Sequence, residues 1–79
     1  MEQSEGSELL DARGLRCPEP VMLLHREFAR LERGEELTVL ATDPSTRRDF
    51  AQFCRQLGHE LVNSSETDGY LVYVLRKGG

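Results

Sequence analysis

The sequence lacks three things: a long apolar stretch, an excess of positive charge, and a second cysteine close to its first. No run approaches the roughly 20 apolar residues that a membrane-spanning helix needs. The 79 residues include 10 Lys and Arg against 14 Asp and Glu, which gives a formal net charge of -4. Nucleic acids and anionic membranes attract proteins through cationic fields. We therefore expect no direct nucleic-acid partner and no membrane partner.

The first eight residues, MEQSEGSE, are polar and acidic. No apolar run follows them, so they lack the pattern of a secretory signal peptide. We expect a disordered lead over residues 1–8, one domain over residues 9–79, and a cytoplasmic location. Because that compartment is reducing, Cys17 and Cys54 are predicted to be free or functional thiols rather than a disulfide.

The first half of the chain predicts a strand, a helix and a second strand. ELLDAR has strand character and stops at Gly14. Apolar residues spaced three and four apart then predict a helix that Gly34 closes. The buried face of this helix is expected to hold Val21, Leu24, Phe28 and Leu31. The β-rich run of residues 36–42 predicts the second strand.

The second half predicts a helix and a hairpin. Asp43 and Pro44 suit the cap and first position of a helix, which Gly58 ends. Its expected buried residues are Phe50, Phe53, Cys54 and Leu57. The last two strands meet at Asp68-Gly69, a dipeptide that favours tight hairpins. The predicted order is β-α-β-α-β-β.

This order brings both helix starts to one edge of the sheet. Two right-handed βα crossovers in succession make the first two strands parallel. Both helices then begin at the edge where α/β sheets place ligands and chemistry. We expect Cys17 and Asp43 to share that rim, with Asp43 acting as a helix cap.

Cys17 stands at the start of the first helix, in the stretch GLRCPEPVMLL. A residue before proline is pushed out of the helical region, so Cys17 is predicted to be the N-cap with an outward side chain. Pro18 and Pro20 fall in the first turn, where a missing N–H costs no helical hydrogen bond. The prolines are therefore expected to direct the thiol without disturbing the helix.

Opposing charges surround this thiol in the sequence. The helix dipole, Arg13 and Arg16 favour a thiolate. Glu19 and the two missing proline amides oppose it. We expect the pKa of Cys17 to be modestly lowered. Cys54 lies on an apolar helix face instead and is predicted to be an inert core residue.

Proteins that cycle a disulfide usually keep a second cysteine three positions after the first, and here that position holds Pro20. Without a resolving thiol, an intramolecular disulfide cycle is not available. An accessible single thiol suits a covalent adduct that is held and then passed on. Cys17 is the predicted reactive residue.

Three stretches, LDARGLRCPEPVMLL, TDPSTRRD and ETDGYLVYVLRKGG, resemble the TusA sulfur carriers of the SirA-like family, over Leu9 to Gly79. The resemblance implies a two-layer α/β sandwich, with a four-stranded mixed sheet and two helices on one face. It implies that Cys17 accepts sulfane sulfur as a persulfide from a cysteine desulfurase, without a cofactor. The chain would be a sulfurtransferase-like persulfide carrier rather than a stand-alone enzyme.

The resemblance also implies a pathway. Downstream sulfur-relay proteins would take the sulfur towards 2-thiouridine formation at the tRNA wobble position. Relatives serve molybdenum-cofactor sulfuration, selenium metabolism or sulfur oxidation, so these pathways stay open as alternatives. An RNA- or protein-binding module of similar fold is a further alternative. We expect a monomer.

Met22 and Leu23 fall off the buried face of the first helix, within a turn or two of Cys17. We predict a small apolar docking patch there, the alternative being that loops cover both side chains. The full supporting and partner-binding set is Arg16, Pro18, Glu19, Pro20, Met22, Leu23 and Asp43. His25 and His59 lie in no ligand-spaced cluster, so no metal site is expected. Arg47 and Arg48 are expected to be solvated surface residues.

Three rival functions remain. Ubiquitin-like carriers hold sulfur on a terminal Gly-Gly, as in Gly78-Gly79, but they begin with a hairpin rather than two βα units. An RNA-binding module conflicts with the net charge and with the lack of clustered Lys or Arg beside exposed aromatic residues. A redox sensor would need Cys17 and Cys54 to meet, which their expected places forbid.

Overall fold

A computed structural model of the chain describes residues 7–78. The elements run β1 (Ser7–Ala12), α1 (Glu19–Arg30), β2 (Glu36–Ala41), α2 (Thr46–Leu57), β3 (Glu60–Thr67) and β4 (Tyr70–Arg76). The predicted β-α-β-α-β-β order is confirmed. β1 begins at Ser7, so the predicted boundary between lead and domain, after residue 8, falls inside this strand. The predicted disorder of residues 1–6 lies outside the described residues.

The sheet has four strands in the order β1-β2-β4-β3. β1 and β2 are parallel, whereas β4 runs antiparallel to both β2 and β3. The mixed sheet is therefore confirmed. β3 is an edge strand with mostly exposed side chains and a register shift between Leu61 and Asn63. Asp68 and Gly69, which join β3 to β4, both have positive φ angles (49° and 84°), as a tight hairpin turn requires.

The core lies between one face of the sheet and the two helices. Side chains alternate across a strand, so every second residue of β2 and β4 is buried. The buried strand residues are Leu37, Val39, Ala41, Leu71, Tyr73 and Leu75. The helices cover them with Leu24, Phe28, Phe50, Phe53 and Cys54. Both helices pack on this face, and because each follows one of two parallel strands, both begin at the same edge of the sheet.

The end of α1 differs from the prediction, whereas the end of α2 matches it. α1 stops at Arg30, and Leu31 is its extended but still buried C-cap. Gly34 does not close the helix, because Lys77 donates its Nζ to the carbonyls of Phe28 and Leu31 and so satisfies the last turn. In α2, Gly58 is the left-handed C-cap, as predicted.

Two side chains expected in the core are not fully buried. Leu57, the last residue of α2, is 49% exposed, because it faces the space between the helices rather than the sheet. Val21 is only partly buried and borders the same space. Both residues contribute to the site described below.

Candidate functional site

Cys17 lies in the loop between β1 and α1, and its side chain is exposed. Pro18, not Cys17, is the N-cap of α1, so the predicted cap is wrong by one residue. The reason is a turn before the helix, in which the Glu19 N–H donates to the Arg16 carbonyl at 2.8 Å. Pro20 falls in the first turn, as predicted, and its fully buried ring anchors the helix start. The Cys17–Pro18 peptide bond is cis.

Asp43 joins the two loops that precede the helices. Its Oδ2 accepts the backbone N–H of Cys17 at 2.8 Å, and its Oδ1 accepts the N–H and hydroxyl of Ser45, each at 3.0 Å. The N–H groups of Cys17 and Ser45 hold the pKa of the Asp43 carboxyl below its usual value, and Arg16 adds a favourable charge. The prediction that Cys17 and Asp43 share a rim is confirmed.

The predicted helix-cap role of Asp43 is wrong. α2 begins at Thr46 with Ser45 as its N-cap, and no side chain caps it. Asp43 lies two residues before that cap, where its carboxylate closes an Asx turn around Ser45. Its second oxygen accepts the N–H of Cys17, so Asp43 fixes the backbone of that residue.

The hydroxyl groups of Thr46 and Tyr73 form hydrogen bonds that position the backbone of Asp43. The Thr46 hydroxyl donates to the Asp43 carbonyl at 2.7 Å and lies 2.8 Å from the Tyr73 hydroxyl. A carbonyl only accepts, so Thr46 uses its single hydrogen there and Tyr73 must donate to Thr46. Hydrogen bonds thus lead from the core of β4 through Asp43 to Cys17. Nothing local in the sequence signals this connection.

A groove of about 320 Å³ opens between α1 and α2 beside Cys17. We call it the Cys17 groove. Its α1 wall is formed by Pro18, Val21 and His25, and its α2 wall by Asp49, Gln52, Phe53, Gln56 and Leu57. Most of this lining is apolar, with polar groups at the Cys17 end and along α2. A partner segment lying in the groove would meet the thiol at one end.

The predicted lowering of the Cys17 pKa is wrong. The pKa is raised, first by the interaction of the thiol with the Asp49 carboxylate, then by partial desolvation and by the negative charges of Asp49 and Asp43. Arg48 opposes the rise. Sequence reasoning missed Asp49, because no local pattern shows how α2 packs beside α1.

The arginines expected to favour the thiolate are engaged elsewhere. Arg13 forms an ion pair with Asp11 at 2.9 Å, and its guanidinium lies 4.8 Å from the centre of the Tyr70 ring. Arg16 acts on Asp43 rather than on the thiol. Glu19 is exposed and is not among the groups that shift the Cys17 pKa.

The predicted docking patch is reduced to one residue. Met22 is 61% exposed, as expected. Leu23 is partly buried and packs against the core, so its predicted exposure is wrong. Arg48 and Arg47 are exposed, as predicted, and Arg47 pairs with Glu66 at 3.0 Å. Whether the members of the predicted set contact partners stays a prediction.

Cys54 is the core cysteine that the sequence predicts. It is 4% exposed on the inner face of α2, and burial raises its pKa to about 11. Both cysteines are free thiols. Of the two, only Cys17 is open to a partner.

Metal clusters and membrane-spanning helices are both absent from the part of the chain that the structure describes. Within residues 7–78, no three His, Cys, Asp or Glu side chains come together as a metal site. None of the helices in this range is long and apolar enough to cross a membrane.

The C-terminal end is held against the domain as far as Gly78. The Gly78 N–H donates to Nδ1 of His59 at 2.9 Å, and its backbone lies against Gly58 so closely that a Cβ would clash. A thiocarboxylate carrier needs a tail that reaches out freely. The ubiquitin-like alternative also fails on the element order, which begins with two βα units.

Comparison with known proteins gives consistent matches. Residues 8–77 match the family described as Sulfurtransferase TusA. Sulfur carrier protein TusA of Pseudomonas putida strain F1 is 55% identical over 69 residues, which cover 87% of this chain and 86% of the relative. Sulfur carrier protein TusA of Pseudomonas aeruginosa strain PAO1 is 56% identical over 69 residues, 87% of each chain.

A solved structure shares the fold. The crystal structure of the SirA-like protein from Desulfitobacterium hafniense matches with a TM-score of 0.80 at 27% sequence identity. The match covers 91% of this chain and 99% of that protein. The two-layer arrangement, with the mixed sheet on one side and both helices on the other, is thus a SirA-like fold.

Proposed function

The chain belongs to the TusA family of sulfur carriers, and we propose that it carries sulfane sulfur as a persulfide on Cys17. The observation that carries this proposal is the exposed thiol at the end of the Cys17 groove, with its backbone fixed by Asp43. Cys54 is buried and does not compete for the sulfur. A held thiol with open access on one side suits a residue that is loaded and unloaded by other proteins.

The donor we propose is a cysteine desulfurase that presents a persulfide on its own cysteine. The Cys17 thiolate attacks the terminal sulfur of that persulfide, and a new S–S bond forms at Cys17. The donor's S–S bond breaks, and its cysteine leaves as a thiolate that takes up the proton Cys17 gave up. Release to an acceptor thiolate follows the same exchange in reverse, so no oxidant or reductant is consumed.

The pathway we propose runs through downstream sulfur-relay proteins to 2-thiouridine at the tRNA wobble position. The support is the RKGG ending, which resembles TusA more than its looser relatives. Sulfur relay to molybdenum cofactor, selenium metabolism or sulfur oxidation would use the same Cys17 chemistry with another acceptor. Two free cysteines fit a reducing cytoplasm, where we place the carrier.

Loading by a purified cysteine desulfurase tests the proposal directly. Incubation with the desulfurase and free cysteine should add the mass of one sulfur atom, read by intact-protein mass spectrometry. Cys17→Ser should abolish the addition. Cys54→Ser, the matched control, should leave it unchanged. Loading that survives Cys17→Ser and disappears in Cys54→Ser would refute the assignment of the sulfur to Cys17.

A further inference from the structure

Asp49 has a carboxylate whose hydrogen bonding is incomplete. Its side chain is 16% exposed, and its Oδ2 is buried with no hydrogen-bond partner within residues 7–78. Its Oδ1 lies 3.6 Å from Nε of Arg48, whose side chain is 79% exposed. An ion pair with this separation and this exposure to solvent contributes little to stability. Because buried acceptors nearly always find a donor, Oδ2 needs one from the space it faces.

The Cys17 thiol is the donor beside it. Both residues border the Cys17 groove. Asp43 fixes the backbone of Cys17, and the Asp49 carboxylate lies near enough to the thiol to raise its pKa. A thiol has one weak donor hydrogen, and an ionised carboxylate only accepts, so the pair is chemically matched.

We propose that Asp49 is a positioning residue for Cys17: its carboxylate accepts the thiol S–H and orients the sulfur at the end of the groove. This inference rests on the proposed function of Cys17 as the sulfur-bearing residue. It adds a residue on α2 to a site that the sequence locates at the start of α1.

The charges that face Cys17 have the sign this arrangement needs. Asp49 makes the largest contribution to raising its pKa, and Asp43 adds a second negative charge from the loop before α2. Arg48 is the cation that opposes them. His25 borders the groove from α1. The balance disfavours a thiolate and favours the neutral S–H, which is the form that donates.

Loading reverses the effect of the same carboxylate. A persulfide is more acidic than the thiol it forms on, so loaded Cys17 ends in an anionic sulfur at neutral pH. Asp49 then repels that sulfur towards the open groove, where an acceptor would reach it. The unloaded thiol is meanwhile shielded from alkylation and oxidation, because both reactions need the thiolate.

The test is the pH profile of Cys17 alkylation by iodoacetamide, in the Cys54→Ser background and without any desulfurase. Asp49→Asn keeps the shape of the side chain and removes its charge. We expect the midpoint of the profile to move to lower pH and the rate at pH 7 to rise at least about threefold. Asp49→Glu should bring the profile back towards that of the parent.

Glu27→Gln is the matched control. Glu27 is a helix carboxylate with a 14% exposed side chain, close to that of Asp49, but it pairs with Arg30 and does not border the groove. Its removal should leave the alkylation profile unchanged. Coincident profiles for the parent and Asp49→Asn would overturn the proposal. Since no donor protein is used, a failure of persulfide loading leaves this result readable.

A second measurement needs no change at Asp49. The S–H stretching band of Cys17, recorded by Raman spectroscopy at neutral pH in the Cys54→Ser background, should lie below that of free cysteine. The lower frequency is the signature of a thiol that donates a hydrogen bond. A band at the frequency of the free thiol would overturn the proposal even if Asp49→Asn failed to fold.

Discussion

Tyr73→Phe removes the hydroxyl at the far end of the hydrogen bonds that lead to Cys17. Tyr73 is 2% exposed, and its ring meets Phe50 edge to face at 4.7 Å between centroids. Phenylalanine keeps that ring contact. The substitution therefore isolates one hydrogen bond, from the Tyr73 hydroxyl to Thr46 at 2.8 Å.

The expected cost follows from what Thr46 keeps. Its hydroxyl still donates to the Asp43 carbonyl, so the substitution orphans no donor and leaves one acceptor without a partner. A hydrogen bond between neutral buried groups contributes about 1 kcal/mol to stability. For a domain of this size, a loss of about 1 kcal/mol lowers the Tm by about 4–8 °C.

Urea unfolding followed by circular dichroism measures the change. Tyr70→Phe, on the same strand, is the control: Tyr70 is half-buried beneath Arg13, and its substitution should cost less than about 0.5 kcal/mol. Thr46→Val should cost more than Tyr73→Phe, because it leaves the buried Tyr73 hydroxyl without an acceptor. Equal losses in the two tyrosine variants would refute the expected contribution of the Tyr73 hydrogen bond to stability.

Three further predictions concern the surface, the pH response and the C-terminal end. Met22→Glu should weaken binding to donor or acceptor proteins, measured by calorimetry. Because Met22 is 61% exposed, the substitution should change the free energy of unfolding by less than about 0.5 kcal/mol. A larger loss of stability would show that Met22 is a core residue. Burial and Lys77 hold the pKa of His59 below its usual value, so neutral His59 stabilises the fold above its unfolded pKa and this stabilisation is lost as the pH falls. The urea concentration at the unfolding midpoint should therefore be lower at pH 5 than at pH 7.5, and the difference should be smaller in His59→Gln. Equal differences in the two proteins would show that His59 is not the cause. Gly78→Ala should destabilise the fold by about 1–3 kcal/mol, because the new Cβ meets the backbone of Gly58. Sulfur loading should be kept. Unchanged stability would mean that Gly78 does not pack against Gly58.

The order of the elements was predictable because its signals are local. Apolar spacing marks each helix, and Asp68-Gly69 marks the hairpin through its positive φ angles. The end of α1 was not predictable in this way. Lys77 supplies the groups that satisfy its last turn, and it lies more than forty residues away in sequence from Phe28 (49) and Leu31 (46). A helix end that depends on such a partner leaves no trace in its own stretch of sequence.

Part of the site was predictable from the sequence and part depended on contacts between distant elements. Topology alone puts Cys17 and Asp43 on one rim, because parallel strands bring both helix starts to one edge. The place of Asp49 depends on how α2 packs beside α1, which no local pattern fixes. From the sequence we expect Arg13 to favour the Cys17 thiolate, although Asp11 lies two positions earlier and on the same face of the chain as it leaves β1. The two-residue spacing of Asp11 and Arg13 is a local signal for the ion pair that they form.

The raised pKa of Cys17 acts differently on the two halves of sulfur transfer. A thiol with a higher pKa is the better nucleophile once deprotonated but the poorer leaving group when an acceptor attacks its persulfide. Sulfur carried on Cys17 would thus be protected from stray thiols while the carrier is alone. A partner that brings a cation over the Cys17 groove would offset Asp49 and Asp43, lower the pKa and make Cys17 a better leaving group. Transfer would then be fast only in the docked complex, which is the selectivity that a carrier between two proteins requires.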